Sequence, residues 1–175
     1  MPGIDPTRPF VPLRVAVLTV SDTRTLDDDR SGALLAERVT TAGHQLIARQ
    51  LVRDEQSHIE AHLREWRDAG RADIVLTTGG TGITGRDVTP EAVHAVIDKH
   101  IPGFGEYFRW VSRESVGTST IQSRATAGVA GRLLIFALPG STGACRDAWD
   151  AILVHQLDSR HQPCNFAQLL PRLGE

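Results

Sequence analysis

The sequence predicts an α/β protein, a three-layer α/β/α sandwich with a mostly parallel central sheet. Two observations predict it. The apolar runs at 14–20 (RVAVLTV), 72–78 (ADIVLTT) and 131–138 are nearly continuous, as strands covered on both faces require. Between them lie stretches with apolar residues at helical spacing, and strands alternating with helices at such distances build parallel sheets.

Taken in order, the first strand ends in Ser21-Asp22, and a polar loop through Asp27, Asp28 and Asp29 leads into a helix over 31–42 that Gly43 closes at a C′ position. A second strand is expected over 45–52. Asp54 then stands where it can cap a helix in which Ile59, Leu63 and Trp66 share a face and Gly70 is the stop. The third strand runs directly into Gly79-Gly80-Thr81-Gly82. Thr89-Pro90-Glu91 reads as a helix start, with Thr as N-cap and Pro at the first position, and this helix is expected to reach about His100. A further amphipathic helix over 104–116 aligns Phe104, Phe108 and Val111. After the last strand, Pro139-Gly140-Ser141-Thr142 punctuates the chain before a helix over 143–157.

The organisation expected is one domain over 14–166, an irregular N-terminal arm over 1–13 and a C-terminal tail over 167–175. With 175 residues and 41% hydrophobic content there is material for one substantial core. The first fourteen residues hold four prolines and no basic-then-apolar pattern, so they do not read as a signal peptide. No apolar run approaches the roughly 20 residues of a spanning helix, and a net charge of -2 without a basic run gives no footprint for nucleic acid or an anionic membrane. A cytoplasmic protein with small-molecule partners, or copies of itself, is expected. Cys145 and Cys164 read as reduced thiols, and His58 and His62 share a helix face without a third zinc ligand.

Ligands of open α/β sheets sit beyond the carboxyl ends of the strands. Three strand exits are therefore candidate site: Ser21-Asp22, Gly79-Gly80-Thr81-Gly82 and Pro139-Gly140-Ser141. The glycine turn can aim backbone N–H groups at a phosphate; the ordinary alternative is a tight strand-to-helix turn. It is not a Walker A loop, and no G-x-G-x-x-G opens the first βα unit. Asp87, five residues past the turn, is placed to hold Mg²⁺ against phosphate oxygens. An ion pair with Arg86 or a local turn is the bland reading of Asp87, and a helix cap that of Asp54. The hydroxyl and amide cluster at 118–124, which includes Ser123 and Arg124, is equipped to grip a phosphate or a pterin edge, or is a polar loop.

Several ordered motifs, TTGGTGITGRDVTPEAV (77–93), IPGFGEYFR (101–109), GTSTIQSRA (117–125) and LPGS (138–141), resemble the molybdenum cofactor biosynthesis MoaB/MogA family, over roughly 14–166. GTST…QSRA and PCNF (163–166) resemble the MoaB branch more closely. The resemblance implies a molybdopterin-binding-domain fold, a homo-oligomer (trimer or hexamer), and molybdopterin adenylyltransfer from Mg-ATP with release of pyrophosphate. A molybdate-insertion protein is the implied recipient. It also implies that Asp54 and Asp87 are the catalytic, Mg²⁺-associated carboxylates. The glycine turn and Ser123 would then meet the substrate, with Ser21, Asp22, Pro139, Gly140 and Ser141 lining the same site. Where the adenylylating branch reads Asn-x-Pro-Gly-x-Pro, this chain reads Ala137-Leu138-Pro139-Gly140-Ser141-Thr142. The rival from another class is a non-catalytic molybdopterin carrier or scaffold, and a third is an unrelated nucleotide-binding regulator sharing the fold.

Overall fold

The computed structural model describes residues 2–175. Four strands form its parallel body: β2 (Arg14–Val20), β3 (Gln45–Val52), β4 (Ile74–Thr78) and β7 (Leu133–Leu138). The six-stranded sheet also holds β5 (Lys99–His100) and β6 (Thr126–Ala130) and is ordered β3-β2-β4-β7-β6-β5. Strand β6 runs antiparallel to both β7 and β5. A separate two-stranded ladder pairs β1 (Gly3–Ile4) with β8 (His161–Gln162), so the arm, expected to be irregular, is partly tied down.

Neighbouring residues of the central strands bury against opposite helix layers, which is why their apolar runs are continuous. Val15 and Val17, Ile74 and Leu76, and Leu134, Phe136 and Leu138 face one core. It is covered by α1 (Arg30–Thr41), α4 (Pro102–Val116) and a helix that starts as α5 (Thr142–Ala148). Ala16, Leu18, Val75, Ile135 and Ala137 face the other core, closed by α2 (Gln56–Ala69) and α3 (Thr89–His94). Each fully buried Leu, Ile or Val contributes about 1.5–3 kcal/mol, so the alternation fixes which layer each face meets. The three-layer sandwich is as expected.

Several local expectations are corrected. α3 stops at His94, and residues 99–100 pair with Val129 and Gly128 at the sheet edge. Thr89 is not the cap of α3; Val88 holds that position. Nor does Asp54 cap α2, because Glu55 stands at its N-cap without a side-chain bond. The polar stretch after α4 is a 3-10 helix, Gly117–Gln122, and not a loop. After α5 the backbone widens into a π-helical turn, Trp149–Leu153, before α6 (Val154–Gln156). The segment expected to be a tail forms α7 (Phe166–Leu169) and a 3-10 turn, with Ala167 buried and Leu170 and Leu173 packed on the core. Among the described residues no helix is long and apolar enough to cross a membrane.

Candidate functional site

The turns leaving β2, β4 and β7 frame a cavity of about 820 Å³. Its floor is the glycine turn. Gly79 and Gly80 have φ of 107° and 64°, the left-handed region, and a Cβ on Gly79 would run into the Val20 carbonyl. All four carbonyls of the turn are held from within the protein. The Thr89 hydroxyl donates to Gly79 O (2.8 Å), Thr89 N–H to Gly80 O (3.0 Å), Arg124 N–H to Thr81 O (2.9 Å) and Arg124 Nε to Gly82 O (2.6 Å). The N–H groups of Gly80 and Thr81, in contrast, meet no protein acceptor among the described residues. A turn with its carbonyls tied down and its amides free is built to receive an anion.

Two carboxylates flank the turn. Asp87 Oδ2 accepts from the Thr84 N–H (2.8 Å) and hydroxyl (2.6 Å). Burial pushes its pKa up, but these bonds, one from the Gly82 amide and the charge of Arg124 outweigh that and hold it below the ordinary value. Arg86 does not pair with Asp87; it grips Asp22 through Nε (3.0 Å) and Nη2 (2.7 Å). Asp54 behaves oppositely. Its carboxylate accepts from the Asp22 backbone N–H, but burial, then the charge of Asp22, outweigh that bond and the charge of Arg86 and raise its pKa.

Of the other expected residues, Ser21, Ser123, Pro139, Gly140 and Ser141 line the cavity with the glycine turn, Asp54 and Asp87. Ser141 also caps α5 by accepting from Ala144 N–H (3.2 Å). Asp22 and Arg124 do not line it. Asp22 joins the first strand exit to the Asp87 loop, accepting from Asp54 N–H (3.2 Å) as well as Arg86. Arg124 is a bracket: besides Gly82 it donates to the Asp87 carbonyl (2.6 Å) and pairs with Glu91. The guanidinium expected to grip ligand is thus spent on holding the turn that does. Residues the sequence reading passed over also reach the cavity, namely Arg24, Ser112, Ser115, Arg146 and Asp147. Ser112 continues the buried Phe104–Phe108 face of α4 by one turn and Ser115 follows at the helix end, so neither stood out in the sequence, and Arg24 carried no signal either.

The fold and this cavity define an α/β domain with a cleft at the strand ends that presents free backbone amides. The family model described as "Probable molybdopterin binding domain" matches residues 16–159, and the chain belongs to that family. Molybdenum cofactor biosynthesis protein B of Escherichia coli strain K12 is 48% identical over 157 residues, 90% of this chain and 92% of that protein. A crystal structure of molybdenum cofactor biosynthesis protein B superposes with a TM-score of 0.84 at 40% identity, covering 93% of this chain and 96% of that one. The tungsten cofactor synthesizing protein MoaB from Pyrococcus furiosus superposes with a TM-score of 0.77 at 32% identity, covering 94% and 98%.

Proposed function

We propose that the protein acts in molybdenum cofactor biosynthesis by binding molybdopterin and transferring an adenylyl group to it from Mg-ATP. The observation that carries this is the glycine turn, with its four carbonyls bonded inward and the amides of Gly80 and Thr81 left for a phosphate. A terminal phosphate oxygen of molybdopterin attacks the α-phosphorus of ATP. One P–O bond forms, the bond to the β-phosphate's bridging oxygen breaks, and pyrophosphate leaves with the electron pair.

The Asp54 carboxylate, bonded to the Asp22 N–H and near enough to Asp87 for their charges to interact, would offer oxygens together with Asp87 to Mg²⁺, a hard cation that takes a few carboxylate oxygens and completes its shell with phosphate and water. Bound there, it supplies charge neutralisation for the departing pyrophosphate. The protein's own part is positioning: the turn fixes one phosphate, and the Thr84 bonds hold the Asp87 carboxylate ionised and oriented. On the same reading the protein is a homo-oligomer, trimeric or hexameric, and its product passes to a molybdate-insertion protein.

Asp87→Ala is expected to lower the rate of pyrophosphate release with Mg-ATP and fresh molybdopterin by about 10²- to 10³-fold, with circular dichroism unchanged. A near-wild-type rate in that variant would remove Asp87 from the mechanism. The second reading, a molybdopterin carrier, is favoured by the exit of β7, where apolar, fully buried Ala137 stands in place of a polar amide. It predicts pterin binding by the wild type with no turnover and no affinity for ATP.

A further inference from the structure

Arg24 brings a cation into the cavity wall. Its Nη1 donates to the Ser31 hydroxyl (2.8 Å) and its Nη2 to the Gly140 carbonyl (3.1 Å), so the residue spans the exits of β2 and β7. A guanidinium presents five N–H donors in one plane, and these two bonds leave three unspent on a side chain that is 36% exposed.

The nearest carboxylate forms only a long ion pair with it. Asp29, wholly buried, lies 3.8 Å from Arg24 Nη1. Its oxygens are occupied by the Thr19 hydroxyl (2.7 Å), the Gly32 N–H (2.9 Å), the Ser31 hydroxyl (3.2 Å) and Arg49 Nη2 (3.2 Å). The Arg49 Nη2 also reaches the carbonyls of Leu26 and Asp29, pinning the loop that carries Arg24. From the other end, the Ser21 hydroxyl accepts from the Arg24 N–H (3.2 Å). Asp29 orients Ser31, and Ser31 orients the guanidinium. Fixing a long side chain this way removes the rotamer entropy it would otherwise lose on binding an anion.

We propose that Arg24 is an anion-binding residue of the cavity, gripping a phosphoryl oxygen of the ligand with the donors that Ser31 and Gly140 leave free. This rests on reading the cavity as a site for phosphorylated ligands. The phosphoryl group can come from the nucleotide or from the pterin.

The test is calorimetric titration of wild type, Arg24→Gln and Arg24→Lys with inorganic pyrophosphate, Mg-ATP and molybdopterin, each separately and at two salt concentrations. In Arg24→Gln the affinity for the ligand that Arg24 holds is expected to fall about 10- to 100-fold. The salt dependence of that ligand's binding should flatten with it, since a lost charge contact carries its screening away. Arg24→Lys should fall in between, keeping the charge but losing the planar fork. A loss confined to Mg-ATP and pyrophosphate identifies the nucleotide phosphates as the source, and a loss confined to molybdopterin identifies the pterin phosphate. Arg24→Gln binding all three probes as wild type does overturns this assignment alone. A wild-type protein that binds none of them overturns the proposed function as well.

Discussion

The carboxylate of Asp54 lies in the cavity, and burial, together with the charges of Asp22 and Asp87, outweighs its bond from the Asp22 N–H and lifts its pKa above the ordinary carboxylate value. The folded chain therefore holds that proton more tightly than the unfolded chain. Its contribution to stability is complete below the unfolded value and is lost as pH rises through the raised folded value. Asp54→Asn is accordingly expected to melt higher than wild type at pH 7, with the gap closing at pH 3, while turnover disappears. Differential scanning calorimetry at the two pH values checks the sign, and a lower melting temperature at pH 7 would refute it. Asp29 has the opposite linkage. Burial pushes it up, but Thr19, Gly32 and Arg49 outweigh this and lower its pKa, so its contribution is present above the ordinary carboxylate range and fades as pH falls. The residues alone left Asp54 and Asp87 open between ligand-binding and ordinary roles, and only the ordered motifs around them singled both out. Arg24 was not legible, because nothing in a polar loop marks which cation a buried aspartate will orient.

At the scale of elements, the glycine turn is held in a conformation that only glycine adopts cheaply. In Gly79→Ala the new methyl meets the Val20 carbonyl at a φ of 107°, and we expect a loss of about 2 kcal/mol or more, read from the denaturation midpoint. Affinity for phosphorylated ligands should fall with it, since Gly79 fixes the amides of Gly80 and Thr81. Strands β2, β3, β4 and β7 were legible because burial on both faces demands unbroken apolar runs in three of them, and β3 is rich in β-branched and aliphatic residues. Strand β6 was not, because TAGVA has no large apolar residue; Ile97 lies over Gly128, where a side chain would collide. The helix expected to reach His100 ends at His94, and residues 99–100 pair with this strand instead. Thr89 misled for a related reason: its hydroxyl, well suited to capping, is drawn to the Gly79 carbonyl instead. In both cases a tertiary contact overrode a correct local preference.

At the scale of the molecule, α7 closes the core beneath the sheet. The Phe166 ring lies 5.5 Å from that of Phe136, which in turn packs edge-on against Phe104 at 5.1 Å. Phe166→Ala is expected to destabilise the protein by about 2–3 kcal/mol, measured by chemical denaturation, whereas a dispensable tail would show no change. The sequence hid this because five apolar residues spread over 166–173 match a frayed terminus as well as a docked helix. The cavity above that core draws its walls from chain segments around residues 20–24, 54, 79–87, 108–123 and 139–147. No contiguous piece of the polypeptide contains it, so an unfolded chain offers the ligand nothing to bind. Occupancy then shifts the folding equilibrium by mass action, with a stabilisation that grows as the logarithm of free ligand over its dissociation constant. The supply of ligand thereby sets how long the folded chain lasts against heat and proteolysis.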